Sequence, residues 1–153
     1  MKTSRISHSV AAVLVVLLGG VCLADEPAPL LGQWAVVAME ARGKEVNEAS
    51  WAGMRWTFAK DTFLVPPGRS TPAGLAKKPP LKCSYVLDDT KTPHHFNWIL
   101  GQGDKKKKVN AIYELNDDVL KVSFAKGGAK RPKDFSTKDT ESVVYTFKRI
   151  KAN

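Results

Sequence analysis

Few residues in this chain have the chemistry of a reactive site. His94 and His95 are adjacent, and Asp88 and Asp89 stand shortly before them. Imidazole and carboxylate together suggest zinc binding or acid–base work. Neighbours on an extended strand point to opposite faces, however, so the two histidines cannot easily grip one ion. Asp117 and Asp118 make a second acidic pair, but neither pair has the spacing or the glycine of a calcium loop. Aspartate is common in turns because its carboxylate accepts from nearby backbone amides, and that role is expected for all four. No serine has a motif context, or a neighbouring histidine and aspartate, that marks a nucleophile. No catalytic residue, metal or other cofactor is expected, and the protein is read as a non-enzyme.

The densest charge run is Lys105, Lys106, Lys107 and Lys108, and a second basic stretch, 126–138, contains Lys130 and Arg131. Brought to the same end of the fold, these groups would make an anion- or partner-binding patch. At opposite ends they are solvating charge. Aromatic residues do not interleave with the lysines, so nucleic acid is not an expected partner.

The start of the chain argues for export. Lys2 and Arg5 precede an unbroken apolar run over 10–18, and Cys22-Leu23-Ala24 offers small residues at both recognition positions of a leader-peptidase site. The apolar segment extended to Ala24 is shorter than the roughly 20 residues that span a bilayer. Cleavage after Ala24 is therefore expected, giving a periplasmic or extracellular protein. Lipidation at Cys22 is the minor alternative, because Val21 and Gly19 fit a lipoprotein site poorly. Cleavage would leave 129 residues, the 153 of the chain less the 24 of the leader, enough for one domain spanning 25–153. It would also leave Cys83 without a disulfide partner, so a buried core thiol is expected. The chain's net charge of +9 becomes +7 once the two leader bases are removed. A basic exported domain suits an acidic protein, lipid or polysaccharide of the envelope.

The elements that must position these residues are strands. Apolar residues alternate with polar ones in short runs, which is the period of a half-buried strand. Trp34, Val36 and Ala38 share one face; Trp56 and Phe58 follow; 62–65 turns back from them. A helical turn capped by Asn47 is expected over 47–53. Residues 66–80 hold five prolines and two glycines without periodicity and read as a long loop. Strands resume at 81–87, 94–100, 109–115, 120–124 and 143–147. Eight strands joined mainly by short turns close most economically into an antiparallel up-and-down barrel, which removes exposed edges. The expected inward set is Trp34, Trp56, Phe58, Tyr85, Phe96, Trp98, Tyr113, Phe124, Tyr145 and Phe147.

Gly32-Gln33-Trp34 resembles the Gly-x-Trp opening of lipocalins. The resemblance implies that Trp34 plugs the closed end and that Arg149, late in the last strand, covers its ring; Gly32, Trp34 and Arg149 are thus the expected closure residues. The order Leu31-Gly-Gln-Trp-Ala-Val-Val, Gly53-Met-Arg-Trp-Thr-Phe, Leu87-Asp-Asp-Thr-Lys-Thr-Pro93, Ala111-Ile-Tyr-Glu-Leu, Leu120-Lys-Val-Ser-Phe, Arg131-Pro-Lys-Asp-Phe and Phe147-Lys-Arg149 is similar to a lipocalin-like domain family of unknown function expanded in planctomycete bacteria. That resemblance implies a small, often exported barrel with no established activity and no catalytic residues to carry over. His94-His95 departs from the family, which has apolar or acidic residues there.

The expected function is ligand binding by a monomer. A small apolar or amphipathic molecule would enter the open end near 66–80 and meet Trp56, Phe58, Tyr85, Phe96, Trp98 and Tyr113. Phe135 is expected to cap a barrel end. The alternative is an envelope interaction protein working through its basic loops.

Overall fold

The computed structural model describes residues 29–66, 79–101, 106–127 and 130–151. The expected leader with Cys22 and Ala24, most of the expected 66–80 loop and Lys105 lie outside the described residues.

Among the described residues nine strands form in chain order: β1 (Gly32–Ala41), β2 (Lys44–Glu45), β3 (Arg55–Phe58), β4 (Thr62–Val65), β5 (Leu81–Asp88), β6 (His94–Leu100), β7 (Lys107–Asn116), β8 (Val119–Ala125) and β9 (Ser142–Ile150). β2 is a two-residue ribbon on the far half of β1. The other eight are antiparallel neighbours in sequence order, and β1 pairs with β9 to close the ring. The fold is an eight-stranded up-and-down β-barrel of lipocalin-like build. Its helical content among the described residues is one 3₁₀ turn, Glu48–Ser50, whose first amide is capped by Asn47: the carboxamide oxygen accepts from Ala49 N at 2.9 Å. No described helix is long and apolar enough to cross a membrane.

Alternation places the aromatic residues inside. Trp34, Trp56, Phe58, Tyr85, Phe96, Trp98, Tyr113 and Phe147 are buried, together with Phe63, Leu30 and Cys83. The rings interlock: Phe58 stacks on Phe63 at 5.1 Å, and Trp56 lies 4.9 Å from Phe147. Such contacts add to the burial of large apolar area that drives the chain to close.

Strand β1 departs from strict alternation. A bulge at Val37 shifts its register on β9, so Ala38 pairs with Thr146 and Met39 with Tyr145. Residues directly opposite share a face. Met39 therefore takes the inward position expected of Ala38, because a bulge inserts one unpaired residue and inverts the phase beyond it.

The β8–β9 connection is a strap on the outside of the barrel. Arg131 donates to the Asn97 side chain and the Ala111 carbonyl, reaching β6 and β7. Thr137 donates to Glu40 on β1 and accepts from Gly43 N at 2.9 Å. Between these pins the outward residues Ile112, Ser123 and Val144 pair side by side across β7, β8 and β9, and all are buried. Phe135 belongs to this strap. It lies beside Lys121 on the outer wall, 5.8 Å from ammonium to ring centre. It also lines a recess with Pro93, His94 and Tyr113 beside the β5–β6 turn, at the closed end of the barrel.

Candidate functional site

One end of the barrel is shut. The φ of Gly32 is +109°, a left-handed value that favours glycine, and it turns the chain into β1. Trp34 follows, fully buried, with its indole N–H donating to the Leu30 carbonyl at 2.9 Å. Arg149 stands opposite Trp34 in the β1–β9 register, its guanidinium carbon 4.1 Å from the ring centre. The same guanidinium donates to the Leu31 carbonyl at 2.7 Å and the Pro29 carbonyl at 2.9 Å, and meets the Asp118 carboxylate at 3.3 Å. Two tyrosines hold neighbouring turns. Tyr85 donates to the Ala59 carbonyl at 2.9 Å, and Tyr113 donates to the Asp89 carboxylate. Burial pushes both phenol pKa values up, with nearby acids as a second cause.

The other end is open. A cavity of about 260 Å³ sits there, between the ends of β4, β6 and β8 and the starts of β5 and β7. Its floor is Trp56, Phe63 and Trp98, and its walls include Val109, Phe124 and Tyr145. Met54, Val65, Leu81 and Leu100 form the rim, with Lys107 the one charged side chain of the lining among the described residues. Phe124 and Tyr145 are only half-buried because the cavity leaves their upper faces open, and their rings stack 5.8 Å apart. Burial still pushes the Tyr145 phenol up. The Trp56 indole nitrogen is buried and has no hydrogen-bond partner.

Of the six residues expected to meet a ligand, Trp56 and Trp98 line the cavity. Phe58, Phe96, Tyr85 and Tyr113 do not. They lie on the inner face but lower in the barrel. Phe96 packs edge-on against Tyr85 at 5.5 Å, Phe58 does the same at 5.6 Å, and the two hydroxyls are engaged by the closed end. The aromatic floor divides the interior into a packed half and a hollow half. The hollow lies at the end that carries the 66–80 connection.

The basic stretches divide in the same way. Lys106, Lys107 and Lys108 are exposed at the open end, and so is Lys130. Arg131 is not free to bind an anion. Its guanidinium is spent on Asn97, Asn110 (3.5 Å) and the Ala111 carbonyl, and partial burial lowers its pKa. Arg131 is thus a clasp of the strap rather than a partner-binding group.

His94 packs on Tyr113 with ring centres 5.4 Å apart, while His95 lies half-buried on the outer wall, its pKa lowered by burial and by Arg131. No group of three metal-ligating side chains occurs among the described residues. Asp88 accepts from the Thr90 hydroxyl at 2.6 Å and from its amide at 3.2 Å, a turn role. Asp118 does more than turn the chain, since it pairs with Arg149 and with Lys151 at 3.0 Å. Cys83 is buried in the core, where burial pushes its thiol pKa up to about 11.

Fold and site together define a small closed β-barrel with one sealed end and one aromatic-floored mouth. No protein-family model, curated protein or solved structure matches this chain.

Proposed function

We propose that this chain is an exported, non-enzymatic, lipocalin-like binding module that holds a small apolar or amphipathic molecule in the barrel mouth. The observation that carries this reading is the cavity itself: aromatic floor, aliphatic rim and a single ammonium at its edge. At about 260 Å³ it falls just below the ~300 Å³ where drug-sized sites begin, and well above the ~150 Å³ apolar cavity that admits benzene. A short acyl chain or a single ring is the right size. Lys107 favours an acidic head group at the rim. Support for export comes from the basic and apolar order of residues 1–24.

The test is a titration of tryptophan fluorescence with sodium decanoate and, separately, decanol. Saturable quenching is expected with both, tighter for decanoate. It should be abolished in Val109→Phe, which enlarges an inward side chain of the cavity lining. The same response in the filled variant, or none in the native chain, rejects the mouth as a binding site.

A further inference from the structure

Charge is not spread evenly around the barrel. Glu40, Glu45, Glu48, Asp139 and Glu141 gather where β1, β2 and the start of β9 meet the strap. The opposite wall is different. On its mouth side, residues 62–65, 81–87, 95–100 and 106–113 of β4 to β7 contain no aspartate or glutamate, while Asp88 of β5 and Glu114 of β7 lie towards the closed end.

That wall is also where aliphatic side chains face outward. Phe63, Cys83, Tyr85, Phe96, Trp98 and Val109 turn inward, so the alternate residues Leu64, Val86 and Ile99 turn out. Their exposures are 39%, 67% and 39%. Isolated exposed aliphatics are ordinary on any protein. These are not isolated from charge. Leu64 stands directly opposite Lys82 across β4 and β5, and Ile99 directly opposite Lys108 across β6 and β7. Both lysines are exposed. Val86 lies diagonally across from Ile99; Leu81, 48% exposed, has the inward parity of Cys83 and stands at the rim of the mouth.

We propose that the outer wall of β4 and β5, with the mouth-side ends of β6 and β7 beside the Arg131 clasp, docks on an anionic lipid bilayer. An aliphatic chain beside an ammonium group on one wall suits the headgroup boundary: the apolar group enters the acyl edge while the lysine stem lies along it and its charge meets phosphate. The two contributions are of different kinds, and the headgroup boundary of a bilayer takes both along one flat surface. A soluble polysaccharide would engage the lysines and leave Leu64, Val86 and Ile99 without partners. The carboxylates of Asp88 and Glu114 lie towards the closed end, so the mouth side of the wall meets an anionic surface with little repulsion. Leu64 and Ile99 each directly precede a rim residue, Val65 and Leu100, so docking sets the mouth near the membrane surface. The inference concerns a surface and holds whatever the mouth contains.

Flotation with vesicles of phosphatidylcholine, with and without about a third phosphatidylglycerol, tests it. The full chain and its variants are compared side by side, so that any contribution of the leader is common to all. Phosphatidylglycerol-dependent binding is expected for the native chain. Lys82→Gln/Lys106→Gln/Lys108→Gln should weaken it at least roughly tenfold, given the attraction of each lysine to an anionic surface. Leu64→Ser/Val86→Ser/Ile99→Ser should weaken it roughly fivefold or more, through lost apolar burial. Glu45→Gln/Glu48→Gln on the opposite side should not weaken it. All positions are exposed, and unchanged decanoate titration of the surface variants confirms an intact barrel and separates this surface from the mouth. Two results overturn the proposal: no dependence on phosphatidylglycerol, or loss in the lysine variant with none in the aliphatic variant. The second pattern, matched by equal binding to soluble polygalacturonate, would mark a polyanion site instead.

Discussion

The Arg149 guanidinium lies flat enough on Trp34 to stand 4.1 Å from its ring centre, and in the same position reaches two backbone carbonyls and the Asp118 carboxylate. One side chain thus joins the first strand, the last strand, the chain entering β1 and the β7–β8 turn. Neither a lysine nor a neutral group reproduces that set, because only a planar fork can stack and donate in several directions at once.

Arg149→Ala is therefore expected to destabilise the barrel by about 2–3 kcal/mol, the sum of a stacked cation and charged hydrogen bonds that are partly exposed. Arg149→Lys should recover less than half of the loss. Urea denaturation of the three proteins measures both, and an alanine variant within about 0.5 kcal/mol of native would contradict the closure role.

Arg131→Ala should loosen the strap without opening the barrel. Hydrogen exchange is expected to quicken at least roughly tenfold for amides in 130–141, while amides of β5 and β6 hold their protection. Equal acceleration everywhere would mean that Arg131 supports the whole fold.

The buried thiol predicts an alkaline loss of stability. Cys83 has its pKa raised from 9.0 to about 11 in the folded chain. Between those values the unfolded chain has released a proton that the folded chain keeps. Stability is then complete below about pH 9 and falls as pH rises towards 11, by at most about 1.4 kcal/mol per pH unit. Burial raises Tyr85 and Tyr145 too, adding to the fall. Unfolding midpoints measured across this range should decline more steeply in the native chain than in Cys83→Ala. Parallel slopes would exclude the thiol.

Trp56→Phe removes a large ring but also a buried N–H with no acceptor. Leaving such a donor unpaired costs about 1–3 kcal/mol, so its removal offsets much of the lost packing. A net destabilisation below about 1.5 kcal/mol is expected, together with a severalfold loss of decanoate affinity. Thermal unfolding with and without decanoate reads both effects.

The barrel was legible in the sequence because its strands alternate almost without interruption. β4 and β6 lie where the pattern puts them, and the inward aromatic residues follow from parity alone. Parity also places Phe63, but its neighbours Leu64 and Val65 make the short strand apolar on both sides and hide it. The Val37 bulge adds one residue that composition does not mark. The cavity was harder to read for a different reason. Alternation says which side of a strand a residue faces, not how high it sits along the barrel axis, and height depends on the stagger between strands. Trp98 and Phe96 are two residues apart on one face, yet Trp98 lines the mouth and Phe96 is sealed below it. The strap's clasp was invisible because Arg131 meets acceptors on strands far from it in sequence.

The pairing of β1 with β9 also dictates when this barrel can exist. Its seam joins residues 33–41 to residues 143–150, so the ring cannot close until nearly the whole domain has been synthesised. Trp34 has no cation to cover it until Arg149 arrives. A chain built this way stays open and threadable through most of its elongation, and long-range closure of this kind is slow. If the chain is exported as proposed, the seam acts as a timer: the last strand to emerge is the one that commits the rest.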